Sequence, residues 1–215
     1  MPDQVGEHLH MIRQGLARDL PGHDGFLRHT SYRRELIDEA LKKEPSPRYS
    51  AVLIVLFPVG GITHTVLIKR PEYEGVHSGQ IAFPGGRMEP QDRDLEQTAR
   101  REFTEETGAR TDKFEILGTL SPLYIPPSRS LVTPFIASAP ERLEFNPDDH
   151  EVQSLLHPSF DEILAPGLLS FTERFVSTTQ IKSAVPYFGI QGEVVWGATA
   201  MMIAELREVC GVGLQ

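Results

Sequence analysis

The stretch from Gly79 to Ala109 constrains this chain more than any other. It opens Gly79-Gln80-Ile81-Ala82-Phe83-Pro84-Gly85-Gly86-Arg87-Met88-Glu89-Pro90 and closes Arg101-Glu102-Phe103-Thr104-Glu105-Glu106-Thr107-Gly108-Ala109. The pattern predicts a glycine turn that feeds a helix. Leu95, Ala99 and Phe103 recur at i+4 and give that helix an apolar face to bury against a sheet. Glu102, Glu105 and Glu106, at i, i+3 and i+4, share another face. Like charges so placed repel by roughly 0.2–0.5 kcal/mol per pair on a solvated helix, and a divalent cation reverses that sign. Gly108 falls where a left-handed cap ends a helix.

The rest of the chain supplies the sheet. Residues 4–19 have helical spacing through Val5, Leu9, Ile12 and Leu16, ended by Pro21-Gly22. A second helix is expected near Tyr32–Lys43, stopped by Pro45 and Pro47. Residues 1–45 therefore read as a helical extension serving packing or a homodimer contact, residues 44–48 as a joint, and residues 46–215 as the main domain. Ser50–Pro58 and Ile62–Lys69 are β-branched apolar runs around Val59-Gly60-Gly61, the pattern of a hairpin. Gln80–Phe83, Phe114–Leu120, Leu131–Ala137, Val152–Leu156, Phe171–Thr179 and Val185–Ile190 read as further extended segments. Ser121–Arg129 is too rich in proline for a regular element. Phe160–Leu164 suggests a helical turn and Gly197–Val209 a C-terminal helix. Strands interleaved with a central and a C-terminal helix predict an α/β fold, a sandwich with a mixed sheet.

Composition excludes several functions. With 21 basic and 30 acidic residues the formal charge is −9, which argues against nucleic acid or an acidic membrane as partner. An anionic substrate needs a local remedy, and a bound metal supplies one. The single cysteine, Cys210, rules out an internal disulfide and a cysteine zinc site. Ala51–Phe57, the longest apolar run, is too short to span a bilayer. With no signal-peptide pattern at the N-terminus, the expected location is the cytoplasm.

Carboxylate oxygens suit Mg²⁺ or Mn²⁺. Magnesium keeps several waters and shares its shell with substrate phosphates, which fits an open glutamate face. Such an ion neutralises phosphate charge and lowers the pKa of an attacking water. The backbone amides of Gly85 and Gly86, close to a helix N-terminus, are available to a phosphate. Arg101 is placed to pair with Glu105 at i+4 and hold its rotamer.

The stretch resembles the Nudix box, G-x5-E-x7-R-E-U-x-E-E-x-G-U with U apolar. Gly86, Arg101, Glu102, Phe103, Glu105, Glu106, Gly108 and Ala109 match it. Asp92 stands where the first glutamate is expected, one residue further from the arginine, and Asp94 is the other candidate for that role. The spacing of the box, Lys69-Arg70, the run from His77 to Gly86, Val132-Thr133-Pro134-Phe135, Asp149-His150-Glu151-Val152 and Val195–Ala200 are similar to the coenzyme A pyrophosphatase branch of that family. Glu74-Gly75 departs from it, since the branch carries Leu-Arg there. The resemblance implies an α/β/α sandwich in which water, with a divalent metal, attacks a nucleoside diphosphate linked to another group. It implies that Glu102, Glu105 and Glu106 hold metal, that Arg101 orients a glutamate, and that Glu105, Arg101 and the distal acid Glu151 form the catalytic set. Coenzyme A or a derivative would yield 4′-phosphopantetheine and adenosine 3′,5′-bisphosphate. The alternatives are ADP-ribose, a dinucleotide or a nucleoside triphosphate as substrate, or a domain that binds a nucleotide to regulate without hydrolysis.

Other side chains carry two readings each. Glu151 belongs either to a solvated loop or to the site. Arg70 grips a phosphate or makes a surface salt bridge, and His77 touches substrate or caps a loop. Arg129 is a candidate for a 3′-phosphate, because guanidinium binds phosphate bidentately. Tyr124 and Phe188 stack on an adenine or fill the core. Trp196 is assigned to the core.

Overall fold

A computed structural model describes residues 4–30, 37–43, 45–74, 77–176 and 180–214. In chain order the elements are α1 (Gln4–Leu16), α2 (Asp24–Leu27), α3 (Ile37–Ala40), β1 (Arg48–Val59), β2 (Ile62–His64), β3 (Leu67–Lys69), β4 (Ile81–Ala82), β5 (Gly85–Arg87) and α4 (Leu95–Thr107). There follow β6 (Glu115–Thr119), β7 (Leu123–Ile125), β8 (Ser130–Ser138), β9 (Ser154–Leu156), α5 (Phe160–Leu164), β10 (Leu169–Val176), β11 (Ile181–Ile190), β12 (Glu193–Trp196) and α6 (Gly197–Val209). The fold is α/β, with helices flanking a mixed sheet.

The architecture follows from the two faces of β1. Side chains along a strand alternate between faces, and here both faces are buried. Ala51, Leu53, Val55 and Phe57 pack with Ala99 and Phe103 of α4. Ile54 and Leu56 join Ile12 of α1 and Met202, Ile203 and Leu206 of α6 in the second, larger core. A strand buried on both faces reads as a continuous apolar run, which is why Ala51–Phe57 looks as it does. β1 runs parallel to β8, from Arg48 opposite Ser130 to Leu56 opposite Ser138. Its other edge is shared by β2 at one end and β5 at the other, both antiparallel. β6 and β7 complete this sheet on β8. Two smaller antiparallel sheets, β4-β3-β9 and β10-β11-β12, stand beside it.

Four expectations from the sequence change. The glycine turn is a strand: Gly85 and Gly86 lie in β5, opposite Val52 and Ala51, and the turn comes afterwards, between Met88 and Asp94. The glycines are needed for close approach, since a Cβ on Gly85 would stand 2.3 Å from the Ala51 carbonyl oxygen. Ile62–Lys69 divides into β2 and β3, which join different sheets. Between them, Thr65 bonds through its amide to the Pro158 carbonyl rather than continuing the hairpin. The proline-rich segment contains β7, because its prolines flank the three residues that pair with β8. A short helix, α2, stands in the stretch after Pro21-Gly22, and Phe26 carries it into the core.

Of the second N-terminal helix, residues 37–40 are helical and residues 32–36 lie outside the described set, as do 177–179 of the segment expected to end at Thr179. The apolar stripe of α1 is spent inside the molecule, with Ile12 wholly buried and Leu9 and Leu16 against the larger core. Among the described residues no helix is long and apolar enough to cross a membrane.

The helix ends agree with their sequence signals. Asp94 caps α4, accepting a bond from the Gln97 amide at 2.8 Å. Gly108 closes it in the left-handed region at φ 71°. Phe103, fully buried and edge-on to Phe114 at 5.6 Å, is the main anchor of α4 on the sheet. Replacing it with alanine is expected to cost about 3–5 kcal/mol. Urea unfolding of Phe103→Ala should show a lower midpoint with an unchanged slope.

Candidate active site

Three tertiary arrangements bring the acids together. The first is built on Arg101. Its Nε and Nη2 donate to the two carboxylate oxygens of Asp92 at 3.0 and 2.9 Å. Nη1 donates to Glu102 at 3.0 Å and to Glu105 at 2.7 Å, and Nη2 also to the Arg87 carbonyl at 2.8 Å. The expected i+4 pair with Glu105 is therefore present as one arm of a larger hub. Asp92 is buried and also accepts from the Glu89 amide and the Thr98 hydroxyl. Those bonds, Arg101's first, hold its carboxyl down at about 2. The two candidates for the first acid thus divide the work: Asp92 clamps Arg101 and Asp94 caps the helix.

The second arrangement surrounds Glu106, which is 2 % exposed. One carboxylate oxygen accepts from the Gly85 amide at 2.8 Å. The other lies 3.2 Å from the Arg70 guanidinium, which also donates to the Gly85 carbonyl. β5 is thus tied to α4 through a closed ring of three residues. Burial pushes the Glu106 carboxyl up to about 7, against the pull of Arg70 and the Gly85 amide, with Glu102 and Glu151 adding repulsion. Glu102 is likewise raised, by burial first.

The third delivers Glu151. A turn at Asp148 accepts the amides of Glu151 and Val152, and the Gln153 amide bonds to the Lys69 carbonyl. β9 then pairs with β3, whose end leads directly into Arg70. The distal acid, far away in the chain, comes to share a cavity of about 390 Å³ with Arg70, Gly85, Gly86, Arg87, Glu102 and Glu106. Glu105 is not in its lining; its side chain is half exposed and turned to Arg101.

Among the described residues no three carboxylate, imidazole or thiol groups close on one point as ion ligands do. Arg101 holds Glu102 and Glu105, and Arg70 holds Glu106. The donor set nevertheless suits a hard divalent cation: Glu102, Glu106 and Glu151 present carboxylate oxygens to one small cavity. Gly86 leaves room for them, since a Cβ there would stand 2.4 Å from the Glu102 carboxyl carbon. Like charges that repel each other in a buried space are what such an ion relieves.

A second cavity, of about 850 Å³, adjoins the first and shares Arg70, Gly85, Gly86 and Arg87 with it. Its walls are apolar along Ile125, Pro126, Val132, Trp196 and Met202, with His77 and Gln80 among the polar groups and Lys43 from the N-terminal segment. Trp196 lines this space, contrary to its assignment to the core. His77 lines it too, bonded to Gln80 at 3.0 Å and in the left-handed region at φ 73°. Tyr124 and Phe188 are core residues outside both linings. Arg129 donates to the Ser46 carbonyl at 3.2 Å and also lies outside both linings. Of the Glu74-Gly75 departure, Gly75 is outside the described set. Arg87, which the sequence reading does not single out, lines both cavities.

Asp92→Ala should destabilise the protein by roughly 1.5–3 kcal/mol, the worth of a charge-assisted hydrogen bond. With its folded pKa depressed, Asp92 stabilises fully above its ordinary value near 3.8 and loses that contribution as pH falls towards about 2. Denaturation profiles should therefore converge for wild type and Asp92→Ala between about pH 4 and pH 2.

Comparison with known proteins identifies the family. Residues 47–178 match the model of the NUDIX domain. Proteins of Yersinia pestis and Yersinia pseudotuberculosis named "Uncharacterized Nudix hydrolase NudL" are 29 % identical over 204 residues, covering 95 % of this chain and 96 % of theirs. Among solved structures, a MutT/nudix family protein from Enterococcus faecalis aligns with a TM-score of 0.48 at 16 % identity, over 82 % of this chain and 63 % of that one. The NUDIX domain of Shewanella oneidensis NrtR complexed with ADP ribose aligns with a TM-score of 0.45 at 16 % identity, over 61 % of this chain and 87 % of that one. With the family model spanning most of the chain and the arginine–glutamate helix at its centre, this protein belongs to the Nudix family.

Proposed function

We propose that the protein is a divalent-metal-dependent pyrophosphohydrolase that cleaves the diphosphate of coenzyme A or a derivative. The observation that carries the chemistry is the cavity where buried Glu106 meets Glu102 and Glu151, open beside a space large enough for a nucleotide. The coenzyme A assignment rests on the sequence features between Lys69 and Gly86 and those after Leu131. The expected products are 4′-phosphopantetheine and adenosine 3′,5′-bisphosphate.

In this reading Glu102 and Glu106, with Glu151 at the same cavity, would hold Mg²⁺ or Mn²⁺; Glu105, a metal ligand by sequence, is paired with Arg101 instead. The ion supplies charge neutralisation at the phosphates and a more acidic water. The chain's own groups do the rest. The diphosphate lies where the two cavities join; the Gly85 amide, a phosphate contact by sequence, is spent on Glu106, and Gly86 is paired with Ala51 in the β1–β5 ladder. Arg101 keeps Glu102 in place, and Glu151 serves either as a ligand of the ion or as the base for the attacking water. The apolar wall around Trp196 and Met202 accepts the less polar part of the substrate and keeps water from it. Arg129, bonded to Ser46, is left out of the substrate contacts.

Glu106→Gln is expected to lower turnover by about 10²–10³-fold at saturating metal. A panel of coenzyme A, ADP-ribose, NADH and dGTP, resolved by chromatography, identifies the substrate; turnover of coenzyme A far below the others would overturn that assignment. The second reading keeps the chemistry and takes ADP-ribose, a dinucleotide or a nucleoside triphosphate, and the departure at Glu74-Gly75 favours it. A regulatory domain without hydrolysis is less well supported, because Asp92 serves Arg101 and its identity leaves the glutamates armed.

The raised Glu106 carboxyl gives a pH test. Below about 7 it is protonated, and a metal ion must displace that proton. Calorimetry with Mn²⁺ alone should show proton release at pH 6 and tighter binding as pH rises to about 7. In the metal-free protein the same group stabilises most below its ordinary value of 4.5, and that contribution is lost as pH rises through about 7.

A further inference from the structure

The arginines around the site are distinguished by what they already hold. Arg101 is committed to Asp92, Glu102, Glu105 and the Arg87 carbonyl. Arg70 is shared between Glu106 and the Gly85 carbonyl. Arg129 reaches the Ser46 carbonyl, outside both cavities. Arg87 is different. It borders the small acidic cavity and the large one alike. Among the described residues no hydrogen bond or ion pair reaches its guanidinium, though its backbone carbonyl accepts from Arg101.

That backbone is held firmly. Arg87 stands opposite Ser50 in the β1–β5 ladder, and its carbonyl is the one Arg101 grips at 2.8 Å. A fixed main chain therefore presents an exposed side chain with five unspent donors at the junction of the two cavities. In a protein of net charge −9, an unpaired guanidinium on a residue that borders both cavities is available to an anion that arrives. Its planar fork matches two phosphate oxygens at once.

We propose that Arg87 is the residue that grips the substrate's diphosphate, a nucleoside diphosphate group lying across the junction of the cavities. The inference rests on the pyrophosphohydrolase reading of this site. Arg70, a phosphate candidate by sequence, then acts chiefly as the structural partner of Glu106. Specificity for a diphosphate comes from two opposed elements: the acids, which require a cation, and Arg87, which contacts the anion directly.

The test compares wild type with Arg87→Ala and Arg87→Lys on the substrate that the panel identifies. Arg87→Ala should raise KM by about 10- to 100-fold, the loss expected for a charge-assisted bidentate contact, while kcat changes by less than about 3-fold. Arg87→Lys should fall between, since it restores charge without the fork. An unchanged KM in Arg87→Ala overturns the inference. Calorimetric titration with adenosine 5′-(α,β-methylene)diphosphate, which is not hydrolysed, provides a readout independent of turnover. If wild type turns over nothing in the panel, the pyrophosphohydrolase reading fails, and this titration still decides Arg87. Weaker binding in Arg87→Ala supports the contact; equal binding, or none by either protein, overturns it.

Discussion

One guanidinium organises the centre of this molecule. Arg101 joins the turn after β5, through Asp92, to the last turns of α4, through Glu102 and Glu105, and to β5 itself, through the Arg87 carbonyl. Every bond to a carboxylate in this set is charge-assisted, hence short and strong. Without the arginine, Asp92, Glu102 and Glu105 would have no cation between them. With it, they are held in place, yet a single positive charge against three bound carboxylates leaves the region negative. The cluster is thus tied together and still carries net negative charge, which is compatible with the metal-dependent reading proposed above.

A second pairing extends the same logic into the interior. Glu106 is buried, and its partners, Arg70 and the Gly85 amide, only partly offset the cost of its charge. The carboxyl responds by holding its proton to an unusually high pH, since desolvation disfavours the ionised form. Structural cohesion and chemical readiness come from the same bond: the ring of Glu106, Gly85 and Arg70 fastens β5 to α4 and also places an acid at the floor of the cavity. Arg70, close to Glu106, is in this structure a fastener of β5 to α4.

Much of the fold is legible in the order of residues. The apolar run in β1, the alternation of apolar and acidic faces on α4, the cap at Gly108 and the bounds of α5 and α6 are local consequences of periodicity and capping. The departures share a cause. Gly85 and Gly86 look like a turn because glycine favours turns, but they are small so that β5 can lie close on β1. Ile62–Lys69 has one continuous β pattern, and only the pull of Pro158 on Thr65 splits it between two sheets. β7 exists because β8 offers it an edge, which outweighs the prolines on either side. Trp196 lines a cavity because the strand before α6 faces the space between the sheets, a relation with no trace in composition.

What the sequence by itself determined is the family and the spacing of its acids: a helix with Arg101, Glu102, Glu105 and Glu106 on neighbouring turns, because helical geometry fixes which residues share a face. Tertiary structure decided how those charges are used. Pairing of β9 with β3 brought Glu151 to the cavity. A bend in the chain put Asp92 against Arg101 and left Asp94 to cap the helix. Burial, not sequence, separated Glu106 from the exposed Glu105. Electrostatic partners are chosen by distance and dielectric, and both are properties of the folded chain alone.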